Sequence, residues 1–231
     1  MAGGPRRVLV TGSNRGIGLE LVRQYARDGY DVVATCRAPE RADELHEISG
    51  AVTVHRLDVA SESDLDALDA TLAGIPLDIL VCNAAIFGGT RSRLADVDWS
   101  AWREALEINL LGSMRVAIRL WRNVAASTER KIVFVSSRAG LPREATPNRS
   151  YIYASSKAAM NAAARCLALD LAPEGVITVL VNPGHVQTGI GGAKAPMTPA
   201  ESVEKVRIVI QDLTAADTGK FLHFDGSELK L

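Results

Sequence analysis

The sequence predicts an α/β domain built on a doubly wound parallel sheet of about seven strands, with helices on both faces. Three observations predict it. Short apolar runs rich in β-branched residues alternate with stretches of helical spacing, the order that right-handed βαβ units leave in a chain. The first run closes on a glycine-rich turn that opens a helix. The polar residues least explained by packing also fall just after strands, at the edge of an open parallel sheet where ligands bind. They are Gly12 to Gly18, Arg37, Asp58, Asn83, Ser137 and the segment from Pro183 to Thr188.

Taken in order, Val8-Leu9-Val10 reads as a buried strand, followed by Gly12-Ser13-Asn14-Arg15-Gly16-Ile17-Gly18. Ile17, Leu21, Val22 and Tyr25 then share one helical face. Residues 31–37 form a second strand, and 38–49 predict a helix with Pro39 tolerated in its first turn. A third strand over 51–57 is followed by Asp58-Val59 and by Ser61, which caps a helix carrying Leu65, Leu68 and Leu72. Residues 77–82 form the fourth strand and lead to Asn83-Ala84-Ala85. One long helix is expected from 98 to about 126, with Asn109, a mediocre helix former, in its middle. The fifth strand, 131–135, ends at Ser136-Ser137, and a charged loop with Pro142 and Pro147 precedes a helix reaching to about 171. Strand 176–181, helix 199–213 and strand 221–224 complete the chain. No repeat, charged block or linker divides it, so 1–231 reads as one domain.

Composition narrows the class. A net charge of −1 gives no reason to expect nucleic acid or an acidic membrane as partner. Cys36, Cys82 and Cys166 are scattered, with no CxxC pair, and each sits in an apolar run, which reads as buried, reduced thiols in a cytoplasmic protein. The start, Met1 to Arg7, leads into a run of only three apolar residues before Thr11-Gly12, too short for a signal-peptide core, and no later run is long enough to cross a membrane. No grouping of His, Cys, Asp and Glu has metal-ligand spacing, so no metal is expected.

The chemistry centres on Tyr153 and Lys157. Four residues apart on a helix, they share a face. An ammonium beside a phenol favours phenolate, and a tyrosine tuned toward neutrality exchanges a proton with a carbonyl or an alcohol. The same spacing also describes an ordinary surface pair. The glycine turn has two readings as well: a plain turn, or a cradle that presents helix N–H groups to a pyrophosphate.

Together, Thr11-Gly12-x3-Gly16-x-Gly18, Asn83-Ala84-Ala85, Asn109, Ser137 and Tyr153-x3-Lys157 resemble the motif set of the short-chain dehydrogenases/reductases, in that family's order and over nearly the whole chain. The start Thr-Gly-Ser-Asn-Arg-Gly-Ile-Gly-Leu-Glu-Leu, Gly189-Ile190-Gly191-Gly192 and the ending with Phe224-Asp225-Gly226 are similar to the small carbonyl-reductase subgroup related to sniffer and the bacterial C-factor. The sequence departs from the pattern at Asn83-Ala84-Ala85, where Asn-Ala-Gly is usual, and in the charged loop between Ser137 and Tyr153.

The resemblance implies a Rossmann-type fold and reversible hydride transfer between a nicotinamide cofactor and a small carbonyl or alcohol substrate. It implies that Tyr153 is the acid/base, that Lys157 lowers its pKa and holds the ribose, and that Ser137 bonds the substrate oxygen. Asn109 would hold a water linking Lys157 to solvent; without the family it reads as a helix-bending polar residue. Gly12, Ser13, Asn14, Arg15, Gly16, Ile17, Gly18, Arg37, Asp58, Val59, Asn83, Ala84, Pro183, Gly184, Val186 and Thr188 would line the cofactor with Tyr153 and Lys157. Asp58 alone reads as a helix-entry cap. Strand two ends Thr35-Cys36-Arg37, with a neutral cysteine where an NAD site places an acid, so Arg37 and Arg15 favour NADP(H) over NAD(H). Both arginines also read as merely solvated residues beside a turn and a strand end. A homo-oligomer is expected, a dimer before a tetramer. The rivals are a non-catalytic nucleotide-binding signalling protein of C-factor type and an epimerase or dehydratase of the extended branch, which usually has a larger C-terminal region.

Overall fold

Alternation along the strands decides which helix covers which face. On β1 (Arg7–Thr11), Val8 and Val10 join one apolar cluster and Leu9 the other, because successive strand side chains point to opposite faces. The computed structural model describes residues 4–89, 96–146 and 150–231. In it β1 pairs with β2 (Asp31–Cys36) and β4 (Ile79–Cys82), and β2 with β3 (Val52–Arg56). On the other side β5 (Lys131–Val135), β6 (Ile177–Asn182) and β7 (Phe221–His223) follow. All pairs are parallel, in the order β3-β2-β1-β4-β5-β6-β7.

A parallel sheet has to be covered on both faces. Helices α1 (Gly16–Arg27) and, near the end of the chain, Pro199–Asp212 bury Leu21, Val22, Val203 and Val206 against one face. On the other face lie Leu65, Val116, Leu120, Met160 and Leu167, packed on Leu9, Leu80, Ile132 and Phe134. Most of these side chains are fully buried, each stabilising the fold by about 1.5–3 kcal/mol before entropy is counted. The chain winds outward from β1 to β3 and then restarts at β4 on the other side of β1. That reversal opens a crevice at the carboxyl ends of β1 and β4.

Several expectations are corrected. Residues 38–49 do not form one helix: a 3-10 turn at Pro39–Arg41 is followed by α2 (Asp43–His46). Ala42 between them takes φ −107 and ψ 52, outside the helical region, and α2 itself buries only Leu45. The helix expected over 98–126 is three pieces, α4 (Trp99–Leu106), a π-helical turn at Glu107–Gly112 and α5 (Ser113–Ala125). Asn109, inside that turn, spends its amide on another segment. Cys36 and Cys82 are buried, but Cys166 is exposed, on the outer side of α6 (Tyr151–Leu171). Pro147 lies outside the described residues. Ser61 caps α3 (Glu62–Thr71) as expected, and α7 (Pro199–Asp212) starts with a Thr198–Glu201 capping box. Among the described residues no helix is long and apolar enough to cross a membrane.

Candidate active site

The glycine turn is held from below. Asn83, just past β4, donates from Nδ2 to the carbonyls of Thr11 (2.9 Å) and Gly12 (3.1 Å). Thr11 Oγ1 accepts in return from the amides of Asn83 and Ala84. Gly12 has φ +67, and a Cβ there would stand 2.9 Å from Ala84 Cα. A Cβ on Gly18 would stand 2.2 Å from the Gly12 carbonyl oxygen. Ser13 does not line the cavity above: its hydroxyl donates to Val10 O and its amide to Thr35 O, so it braces the turn from inside. No side chain caps α1, which leaves the first N–H groups at Gly16, Ile17 and Gly18 facing an open cavity.

That cavity, about 530 Å³, runs past Asn14, Arg15, Arg37, Asp58, Val59, Asn83 and Ala84 to Thr188. Among the described residues neither Arg15 nor Arg37 has an ion-pair partner, and both are exposed. Asp58 is not the helix cap, a place Ser61 takes; one of its oxygens accepts from Ala60 N (3.0 Å). At its far end the cavity meets a second, of about 970 Å³, and Asn83, Ala85, Phe87 and Thr188 line both. Pro183, Gly184 and Val186 border the second.

Ser137, Tyr153 and Lys157 come together in the second cavity. Ser150 caps α6 by accepting from Tyr153 N, which seats the tyrosine in the first turn. The Ser137 hydroxyl stands beside the Tyr153 phenol on the wall of this cavity and accepts from Ala139 N, which fixes its position at the end of β5. Lys157 Nζ donates to Val135 O (2.8 Å) and lies 5.9 Å from the centre of the Tyr153 ring. Asn109 is fully buried and clamps the loop after β4: Oδ1 accepts from Ile86 N (2.8 Å), while Nδ2 donates to Ile86 O and Ser156 Oγ (both 2.9 Å). Its amide is thus engaged with protein partners on both sides.

The electrostatics differ from the expectation of a lowered tyrosine. Burial pushes the Tyr153 phenol up to about 12, opposed only by the Ser137 hydroxyl. Burial also pulls the Lys157 ammonium down to about 8. The ammonium is turned toward a backbone carbonyl, so its charge does not overcome the desolvation of its neighbour.

Residues 6–198 match the family model for short chain dehydrogenase. The chain belongs to the short-chain dehydrogenase family. Among curated relatives of this chain, the C-signal protein of Myxococcus xanthus is 36% identical over 154 residues, covering 67% of this chain and 92% of the relative. Among solved structures, carbonyl reductase Sniffer of D. melanogaster superposes with a TM-score of 0.91 at 27% identity, covering 99% of this chain and 100% of that one. The NADPH-bound carbonyl reductase from chicken fatty liver gives 0.90 at 27% identity, covering 98% and 99%.

Within the dehydrogenase fold, three features were missed by reading the sequence. Phe87 tilts over the Tyr153 ring at 5.3 Å between centres, on a loop with no periodicity to announce it. Ser136 bonds Asn161 Oδ1, tying the end of β5 to α6. Ser156 receives Asn109, and its position beside Lys157, between two named residues, was the only available signal.

Proposed function

We propose that this short-chain dehydrogenase is an NADPH-dependent carbonyl reductase, converting a small ketone or aldehyde to its alcohol reversibly. The reading rests above all on the meeting of Ser137, Tyr153 and Lys157 in the second cavity, which adjoins the first. A nicotinamide dinucleotide suits the first cavity: the glycine turn brings backbone close, the uncapped α1 N-terminus offers donors to a pyrophosphate, and Arg15 and Arg37, without ion-pair partners among the described residues, line it away from the second cavity. When bound, the cofactor would supply the hydride. Arg15 and Arg37 would take a 2′-phosphate through their planar forks. Asp58 and Val59 would border the adenine, with Asn14, Gly16, Ile17, Asn83 and Ala84 shaping the backbone nearby. Pro183, Gly184, Val186 and Thr188 would orient the carboxamide, and Lys157 would bond the ribose.

Tyr153 acts as the proton donor in reduction. A phenol pushed up to about 12 is neutral across the physiological range, the form needed to protonate a carbonyl oxygen as negative charge develops there. Ser137 bonds the same oxygen. Asn109 positions the site by holding the Ile86 loop against α6. The chain works as one domain, in the cytoplasm, as a homo-oligomer with a dimer before a tetramer. The likeness to C-signal supports a second reading, a nucleotide-binding signalling protein without turnover; the complete Ser137, Tyr153 and Lys157 set favours catalysis. Loss of absorbance at the reduced-nicotinamide wavelength with a panel of aldehydes, diketones and quinones tests the proposal. No turnover of any member, with NADPH still bound, would favour the signalling reading.

A further inference from the structure

The charged segment after Ser137 takes no part in the chemistry above, yet it lines the substrate cavity. Ser137 caps a 3-10 turn, Arg138–Gly140, and a second such turn, Pro142–Glu144, follows at once. The two turns bring Arg138 and Glu144 together: Arg138 Nη2 donates to Glu144 Oε2 at 2.8 Å, and both residues border the cavity that holds Tyr153. The backbone that carries the arginine is anchored as well, because its own amide donates to Asn182 Oδ1 at the end of β6. Glu144 takes one hydrogen of Nη2; the other, together with Nε or Nη1, leaves an edge of the guanidinium with no partner among the described residues.

A second donor is available on the same wall. His223 Nδ1 sits 2.7 Å from Asn182 Nδ2, and that amide nitrogen can only donate. Nδ1 therefore accepts, and the ring proton belongs on Nε2, which has no hydrogen-bond partner among the described residues. Among the described residues Glu144 is the one acidic side chain lining this cavity, and it is already paired. The wall thus offers spare donors and no spare carboxylate.

We infer that this site is built for a carbonyl substrate bearing a carboxylate, bound by the free edge of Arg138, with Glu144 holding the guanidinium in place and competing for it. The inference rests on the reductase reading. A planar fork suits a carboxylate better than a point charge does. The Arg138 side chain is 51% exposed, so solvent and salt screen the contact and limit it to about fivefold in affinity.

The test compares 4-carboxybenzaldehyde with the neutral amide of the same shape, 4-formylbenzamide, at saturating NADPH. The quantity read is the ratio of kcat/KM, acid over amide. Arg138→Gln should lower that ratio about fivefold, and added salt should lower it in the unmodified protein. Glu144→Gln should raise the ratio by removing the competing carboxylate, while Arg138→Lys should fall between Arg138→Gln and the unmodified protein. A ratio unmoved by either Arg138→Gln or Glu144→Gln overturns the inference. If the unmodified protein reduces neither aldehyde, the reductase reading fails instead. Calorimetric binding of 4-(hydroxymethyl)benzoate against its amide, with NADPH present, then judges the carboxylate site alone: a preference for the acid that Arg138→Gln removes supports it, and equal binding sinks it.

Discussion

Replacing Lys157 with Met should make the fold more stable at neutral pH and remove a pH dependence that the unmodified protein carries. Lys157 is 2% exposed, and its ammonium is pulled from 10.5 down to about 8 by burial. Below about 8 the lysine is charged in both the folded and the unfolded chain, and folding pays for desolvating it. Between about 8 and 10.5 the unfolded chain still holds the proton while the native state has lost it. The unfolded state then binds more protons, so stability rises with pH across that window. A difference of about 2.5 between the two values corresponds to about 3 kcal/mol at ~1.4 kcal/mol per unit, of which about 2 kcal/mol is recovered between pH 7.5 and 9.5. Met keeps the length and apolar stem, although it leaves Val135 O without its donor, which offsets about 1 kcal/mol. Urea unfolding of both proteins at the two pH values isolates the lysine, because every other titrating group is common to the pair. The unmodified protein should gain about 2 kcal/mol on the variant as pH rises. A constant gap would show that Lys157 is not desolvated in the native state, and the reasoning from burial would fail.

Tyr153→Phe should lower reductase turnover by ~10² or more while leaving NADPH affinity intact; undiminished turnover would pass the role of acid to another group. The double change Arg15→Ala with Arg37→Ala should erase most of the preference for NADPH, and Cys36→Asp, at the end of β2 on the same cavity, should shift it toward NADH. Comparing kcat/KM for the two cofactors decides this, and equal values in the unmodified protein would end the argument. Gly18→Ala should destabilise the fold and abolish cofactor binding, since its Cβ would sit 2.2 Å from the Gly12 carbonyl oxygen; a normal thermal midpoint with normal NADPH binding would contradict that geometry.

Much of this molecule was legible as a string of residues. The strands were readable because a sheet buried on both faces demands continuous apolar runs, as in 131–135 and 176–181, and that demand is local. The polar residues placed after those runs were readable for the same reason: once the strand order is parallel, every strand ends on one edge, and Gly12, Asp58, Asn83, Ser137 and Pro183 must converge there. Segment 38–49 misled because helical spacing over a few residues does not say whether enough apolar surface faces the core, and here mainly Ala42 and Leu45 do. The break at Glu107–Gly112 was hidden because Asn109, inside it, is bonded to Ile86, 23 residues away and out of reach of any local spacing. Tertiary structure also decided the charges. Spacing puts Tyr153 and Lys157 on one helical face, but the direction of each pKa follows from how much water the surrounding fold removes. The placing of Phe87 over Tyr153, and of Arg138 against Glu144 on the wall of the second cavity, was likewise decided by how loops pack, which no periodicity in the chain encodes.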